Sequence, residues 1–391
     1  MIDVERARRE TPGCEERIHL NNAGAALQPA PVLEAVLGHL RLETQLGGYE
    51  AEDAAAVALA RVYDSAASLV GAKRGELAVI ENATRAWDMA FYSIPFSPGD
   101  RILTAEAEYA SNYIAYLQVA RRTGAVVEPV ASDETGALSV EALREAMDER
   151  VRLISITHVP TNGGLVNPAE EVGAVAREAG CLYLLDACQS VGQLPVDVEA
   201  IGCDFLSATS RKFLRGPRGC GFLYVRAGRL DELEPPFLDL HAADWAAPDR
   251  YEVRPDARRF ENWESNVAAK LGMGAAIDYA LAWGIDEIRE RVAALADGLR
   301  GRLAAIPGVT VRDLGRVRCG IVSFTIDGVD PAAAQAALRA QGINVSVAVQ
   351  PHTLLDMSAR RLERMLRASV HYYNTEDELD RAYATIAGLY I

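Results

Sequence analysis

Between residues 77 and 225 the chain repeats one pattern. A short, continuously apolar run is followed by a segment with helical periodicity, and then by another apolar run. The runs fall at 77–80, 101–104, 125–130, 152–157, 181–185 and 220–225, with a further short one just before Ser207. Strands buried on both faces show no apolar–polar alternation, and parallel neighbours need helical crossovers between them. The pattern therefore predicts an α/β fold around a mostly parallel sheet. In such folds ligands collect outside the carboxyl ends of the strands. The residues that end each run are thus the first candidates for function.

The run at 181–185 stops at Asp186, followed by Ala187, Cys188 and Gln189. An aspartate with a glutamine three residues on can address two atoms of one ligand, or it can simply cap a helix. After the run at 77–80, Glu81-Asn82-Ala83-Thr84 opens a helix. Free N–H groups there suit a phosphate, although Asn82 or Thr84 as an ordinary N-cap gives the same pattern. Tyr109 follows the run at 101–104, placed either to stack on a planar ring or to pack in the core. The run at 152–157 ends in the turn-rich loop 158–164.

The stretch 207–219, Ser-Ala-Thr-Ser-Arg-Lys-Phe-Leu-Arg-Gly-Pro-Arg-Gly, sets a lysine between two core strands. Lys73, Lys212 and Lys270 are the only lysines among 40 basic residues; the rest are arginine. A chain that supplies positive charge by arginine everywhere else needs a reason to keep a primary amine in a turn, and Schiff-base chemistry is the usual one. Drift within an arginine-biased composition is the plainer alternative.

The remainder of the chain frames these residues. The stretch 20–26 is small and polar, and helical patterns cover 31–43 and 51–70 around a hinge at 47–49. Further helices are predicted at 139–149 and 169–179. Residues 234–264 are rich in Pro, Asp and Trp without periodicity, and are read as an irregular lid or subunit-contact segment. A long helical pattern from 270 to 306 stops at Pro307-Gly308. The tail then alternates strands at 309–311, 320–326, 343–347 and 366–371 with helices at 331–341, 358–366 and from 376. This gives a large domain at 21–262, a smaller C-terminal α+β domain at 263–391, and an N-terminal segment, 1–20, packed on the latter.

A net charge of -15 argues against nucleic acid or an anionic membrane as partner. Residues 1–6 are polar and charged, unlike a signal peptide, and no apolar run approaches the length of a membrane span. The six cysteines have no CxxC spacing and the six histidines no paired spacing. Buried thiols in a cytoplasmic protein, and no metal site, are expected.

A reactive lysine, a strand-end aspartate, a helix N-terminus ready for phosphate and an aromatic ring together fit pyridoxal 5'-phosphate (PLP). The amine holds the aldehyde, a carboxylate pairs with the pyridine nitrogen, N–H groups and hydroxyls hold the phosphate, and a side-chain ring covers the cofactor's face. The stretches Leu20-Asn21-Asn22-Ala23-Gly24, Asp186-Ala187-Cys188-Gln189, Ser210-Arg211-Lys212 and the run 367–375 resemble the class V aminotransferases, the cysteine desulfurase-like (NifS-like) group of fold-type I PLP enzymes. The resemblance spans nearly the whole chain and implies a seven-stranded, mostly parallel sheet. It implies that Lys212 carries the cofactor and moves the Cα proton. Asp186 would pair with the ring nitrogen and Gln189 with the phenolic oxygen. Ala83, Thr84 and Thr209 would hold the phosphate, with Arg211 in the place of a phosphate-binding histidine and Tyr109 on the ring. Asn162 and Arg367 would grip the carboxylate of an amino-acid substrate, with Asn22 also on the substrate side. It further implies a homodimer with shared active sites, in which a segment like 259–265 reaches the partner's phosphate; the usual Gly-Thr pair is missing there, leaving Ser265 as the candidate.

A desulfurase of this group carries a nucleophilic cysteine shortly before the carboxylate-binding arginine. Residues 346–366 contain none; Cys319 is the nearest upstream. The stretch 210–221 and Gly47-Gly48-Tyr49 resemble C–S lyases of the group. The expected reaction is therefore β-elimination from a cysteine S-conjugate or sulfoxide, giving pyruvate, ammonia and a thiol or sulfenate. Desulfurase or selenocysteine lyase activity, transamination or epimerisation, and a catalytically silent PLP-fold binding protein are the alternatives.

Overall fold

The computed structural model describes residues 1–389. The apolar runs become β1 (Leu77–Ile80), β2 (Arg101–Ala105), β3 (Val126–Val130), β4 (Val151–Thr157), β5 (Leu182–Asp186), β6 (Phe205–Thr209) and β7 (Gly221–Val225). They form one seven-stranded sheet in the order β1-β7-β6-β5-β4-β2-β3. Neighbours from β6 to β3 are parallel. Only β7 runs against its neighbours, β6 and β1. The reason lies in the connection: residues 210–220 contain no helix, and a parallel return needs a crossover of about a dozen residues or more. Lys212 consequently sits in a reversal turn at the carboxyl end of β6.

The continuous apolar character has the expected cause. Along β5, Tyr183 and Leu185 enter the hydrophobic cluster on one face, while Leu182 and Leu184 join Trp87, Phe91 and Tyr116 on the other. β3 is the exposed edge, where Pro129 is tolerated because no further strand needs its missing N–H.

A second, antiparallel sheet contains β8 (Val309–Val311), β9 (Ile321–Ile326), β10 (Ser346–Val349) and β11 (Arg364–Ser369), in the order β8-β9-β11-β10. The N-terminal pair Ile18–His19 runs parallel to Ile343–Asn344. The helix Val267–Trp283 packs on Ala30–Leu46 and Ala56–Val70.

Several boundaries differ from expectation. The pattern at 270–306 is two helices, Val267–Trp283 and Ile285–Ala304, broken at Gly284, whose φ of 85° ends the first. Residues 51–70 are likewise divided at Ala55 between Gly48–Ala54 and Ala56–Val70. The strand expected at 343–347 is two short ones in different sheets. The helix expected at 358–366 is Leu354–Ala359, with β11 already begun at Arg364. Within 234–264 the chain makes a hairpin, Ala243–Ala247 with Arg250–Val253. Its Trp245 and Tyr251 are exposed, so no buried face marks it in sequence. Among the described residues no helix is long and apolar enough to cross a membrane.

Candidate active site

The reversal turn after β6 is closed by its own hydrogen bonds. Ser210 N–H donates to Cys220 O (3.1 Å), its hydroxyl donates to Pro217 O, and Gly216 N–H donates to Ser210 O (2.8 Å). Arg215 ends the bend in the left-handed region, with φ 62°. Its guanidinium is buried and donates to Leu27 O (2.9 Å), Tyr372 Oη (2.6 Å) and Thr11 Oγ1. It also lies 4.5 Å from the Tyr373 ring centre and 5.0 Å from that of Tyr372. Sequence reasoning missed this residue, since its partners come from both ends of the chain.

Every residue predicted to contact the cofactor lines one cavity at the carboxyl ends of β4, β5 and β6: Ala83, Thr84, Tyr109, Asp186, Gln189, Thr209, Arg211 and Lys212. Burial holds the Lys212 amine below the ordinary lysine range; Arg211 lowers it further, while Cys188 and Asp186 act the other way. A lysine so placed reaches its neutral, nucleophilic form more readily. Asp186 is held at both oxygens: Oδ1 accepts from Cys188 N–H (2.9 Å) and Oδ2 from Asn112 Nδ2 (3.1 Å). Gln189 donates to Ala23 O (3.1 Å), and its buried Oε1 has no partner. Asn82 caps the helix Ala83–Phe91 through Arg85 N–H (3.0 Å), and the helix's first residues line the cavity.

Arg211 donates to Gly24 O, toward the N-terminal stretch. That is a different engagement from the phosphate contact expected of it. Arg367, from β11, is buried; it donates to Thr161 O (2.7 Å) and Thr161 Oγ1 (3.0 Å) and lies 3.5 Å from Asn21 Oδ1. Its Nε is buried without a partner. Burial, and then the charge of Arg211, pull its guanidinium down to about 10.

Two expected substrate residues are otherwise occupied. Asn22 is wholly buried; its amide donates to Ser369 O (2.7 Å) and His19 O (3.2 Å), and its oxygen accepts from Tyr373 Oη. It is a strut between the N- and C-terminal segments, and Asn21 is the neighbour that reaches Arg367. Asn162 Nδ2 donates to Asp356 Oδ2 (2.7 Å) on the helix Leu354–Ala359, away from the cavity that Thr161 lines. Ser265 lines open grooves outside this cavity; Gly219 borders one of them and the cavity as well.

A lysine in the reversal turn of this sheet, with a strand-end aspartate beside it, is the arrangement of a fold-type I PLP enzyme. The chain belongs to the aminotransferase class-V family, whose family model matches residues 18–382. A relative called "Probable cysteine desulfurase" from Methanothermobacter thermautotrophicus is 30% identical over 387 residues, covering 96% of this chain and 95% of its own. The apo structure of a cysteine desulfurase from Thermococcus onnurineus NA1 superposes with a TM-score of 0.93 at 25% identity, over 100% of this chain and 98% of that one. The cystine C-S lyase C-DES shares the fold, with a TM-score of 0.87 at 23% identity over 96% of this chain and 99% of its own.

The residues present fit PLP. The unpartnered Gln189 Oε1, on a lining residue, is an acceptor for a phenolic hydroxyl; Arg367, whose Nε is also unpartnered, does not itself line the cavity and is bonded to the lining residue Thr161. When bound, PLP supplies an electron sink for charge at the substrate's Cα.

Proposed function

We propose that this PLP-dependent enzyme breaks the Cβ–S bond of a cysteine-derived amino acid by β-elimination, consuming one water and releasing pyruvate, ammonia and a thiol or sulfenate. In this reading Lys212 takes the Cα proton, Asp186 keeps the ring nitrogen protonated, and Ala83, Thr84 and Thr209 hold the phosphate. Arg367 binds the substrate carboxylate. One observation carries the choice of elimination. The segment that would present a sulfur-accepting thiol, 346–366, contains no cysteine and is instead folded down, with Met357 buried and Asp356 bonded to Asn162. Cys319 is buried, and burial pushes its thiol up to about 11. Cys188 lines the cavity, but burial and then Asp186 hold its thiol well above the ordinary range. Neither is poised as a thiolate.

Cysteine desulfurase is the second reading, and the names of the relatives favour it. Product analysis separates the two. Pyruvate and ammonia from cysteine, cystine or a cysteine S-conjugate are expected. Alanine with sulfide or a protein persulfide would replace elimination by desulfuration. A homodimer is part of the proposal: Ser265 and the exposed Tyr49 and Trp263 line the groove a second copy would cover. A monomer in sedimentation analysis would remove that part. The unpaired cysteines suit a reducing, cytoplasmic setting.

A further inference from the structure

Behind Asp186 lies a second buried carboxylate, Glu108, which does not line the cavity. Its Oε1 accepts from Tyr109 N–H (2.8 Å), Asn112 Nδ2 (2.9 Å) and Thr157 Oγ1. Its Oε2 accepts from Thr157 N–H (2.9 Å) and Thr104 Oγ1 (3.1 Å). Donors from β2, β4, the loop after β2 and the helix Ala110–Thr123 thus fix this carboxylate in place. Thr157 is also the β4 residue opposite Asp186 in the sheet register.

Asn112 joins the two carboxylates. An amide nitrogen carries two hydrogens; here its shorter contacts are to Glu108 Oε1 and Asp186 Oδ2, with Thr157 Oγ1 more distant at 3.5 Å. Turning the amide over would set its oxygen against two carboxylates, so Glu108 and Asp186 together decide which way Asn112 points. Asn112 in turn holds the Asp186 oxygen that Cys188 N–H does not reach.

We propose that Glu108 and Asn112 are positioning residues for Asp186, with Glu108 fixing the Asn112 amide and the amide fixing the plane of the Asp186 carboxylate toward the cofactor's ring nitrogen. This rests on the reading that Asp186 holds that nitrogen. A carboxylate held at both oxygens in advance loses little freedom when the ring arrives. Cofactor affinity and the protonation of the ring nitrogen are therefore the properties that the pair sets.

The test uses the full chain stripped of PLP and titrated with PLP, following protein fluorescence for Kd. In the loaded protein, the pH midpoint of the visible absorbance is followed, with Tm measured in parallel. Asp186→Asn is expected to weaken PLP binding and move the midpoint. Asn112→Ala is expected to raise Kd about tenfold, the worth of one hydrogen bond to a charged group. It should move the midpoint in the same direction, and Glu108→Gln should follow it more weakly. In the Asp186→Asn background, Asn112→Ala should add nothing. If Asn112→Ala fails to fold, Asn112→Leu fills the space and removes only the bridge. Variants at 108 and 112 that lower Tm alone, or that act additively with Asp186→Asn, would overturn the positioning role while leaving Asp186 in place. An Asp186→Asn protein with unchanged Kd and midpoint would instead overturn the reading of Asp186, and the relay with it.

Discussion

On one side of the cavity, Asp186 and Glu108 share a single amide and are surrounded by donors. Elsewhere, Arg211 in the lining and Arg367, bonded to the lining residue Thr161, engage backbone carbonyls, a hydroxyl and the Asn21 amide oxygen rather than carboxylates, and the Lys212 amine feels charges from both groups of residues. The carboxylate side is finished by the protein itself. The cationic side is not: the buried Arg367 guanidinium has no counter-charge, which is costly, and the charge of the half-buried Arg211 lowers its hold on a proton further. A ligand with a cationic ring nitrogen, a phosphate and a carboxylate would complement both sides. On the proposed reading, half of the recognition is built into the folded chain, and half waits for the ligand.

The largest expected effect falls where the two sides meet. Lys212→Ala should lower turnover by about 10²–10⁴-fold, the worth of a positioned proton-transfer group. Borohydride reduction of the PLP-loaded protein, followed by peptide mapping, should mark Lys212 alone. A mark on Lys73 or Lys270 would dissolve the contrast altogether. Next, Arg367→Ala should raise KM for amino-acid substrates by an amount equivalent to about 2–5 kcal/mol, because a substrate carboxylate would be left buried and unpaired. Unchanged steady-state kinetics would mean that the cationic side is not completed by substrate.

The carboxylate side is probed by pH. Burial, reinforced by Asp186, pushes Glu108 up to about 7 from the ordinary 4.5, with its hydrogen-bond donors pulling the other way. Asp186 from β5 and Tyr116 from the helix Ala110–Thr123 are the titratable groups coupled to it. A raised carboxyl favours the folded state most below the unfolded value, and this contribution is lost as pH rises through about 7. Between pH 5 and pH 8 the apo wild type should therefore lose about 2–3 kcal/mol of unfolding free energy relative to Glu108→Gln. Parallel denaturation curves at the two pH values would deny the buried charge. The smallest effect is at Asp356. Asp356→Ala frees the Asn162 amide, and KM should fall by a factor of about five, near 1 kcal/mol. No change in KM would assign Asn162 to packing alone.

The sheet was legible because burial on both faces leaves an unbroken apolar run, and Asp186 was legible because it ends one. Lys212 stood out through composition, as a rare amine among arginines. What sequence did not reveal depends on contacts between distant segments. Glu108 and Asn112 have ordinary helical spacing, and only the meeting of β2, β4 and β5 turns them into a bridge. Asn21 and Asn22 are adjacent in a stretch without periodicity, so nothing in the sequence says which faces Arg367. The hairpin at 243–253 buries no face and leaves no alternation to read.

Arg215 ties the bend that carries Lys212 to Thr11, Leu27 and the paired tyrosines 372 and 373. If Lys212 carries PLP as proposed, the cofactor's hold is governed partly from the two extremities of the polypeptide, far from the strands that shape the pocket. Proteolytic trimming ahead of residue 12, or early fraying of either terminus on warming, would unlatch that bend while the central sheet was still intact, and cofactor loss would then precede global melting.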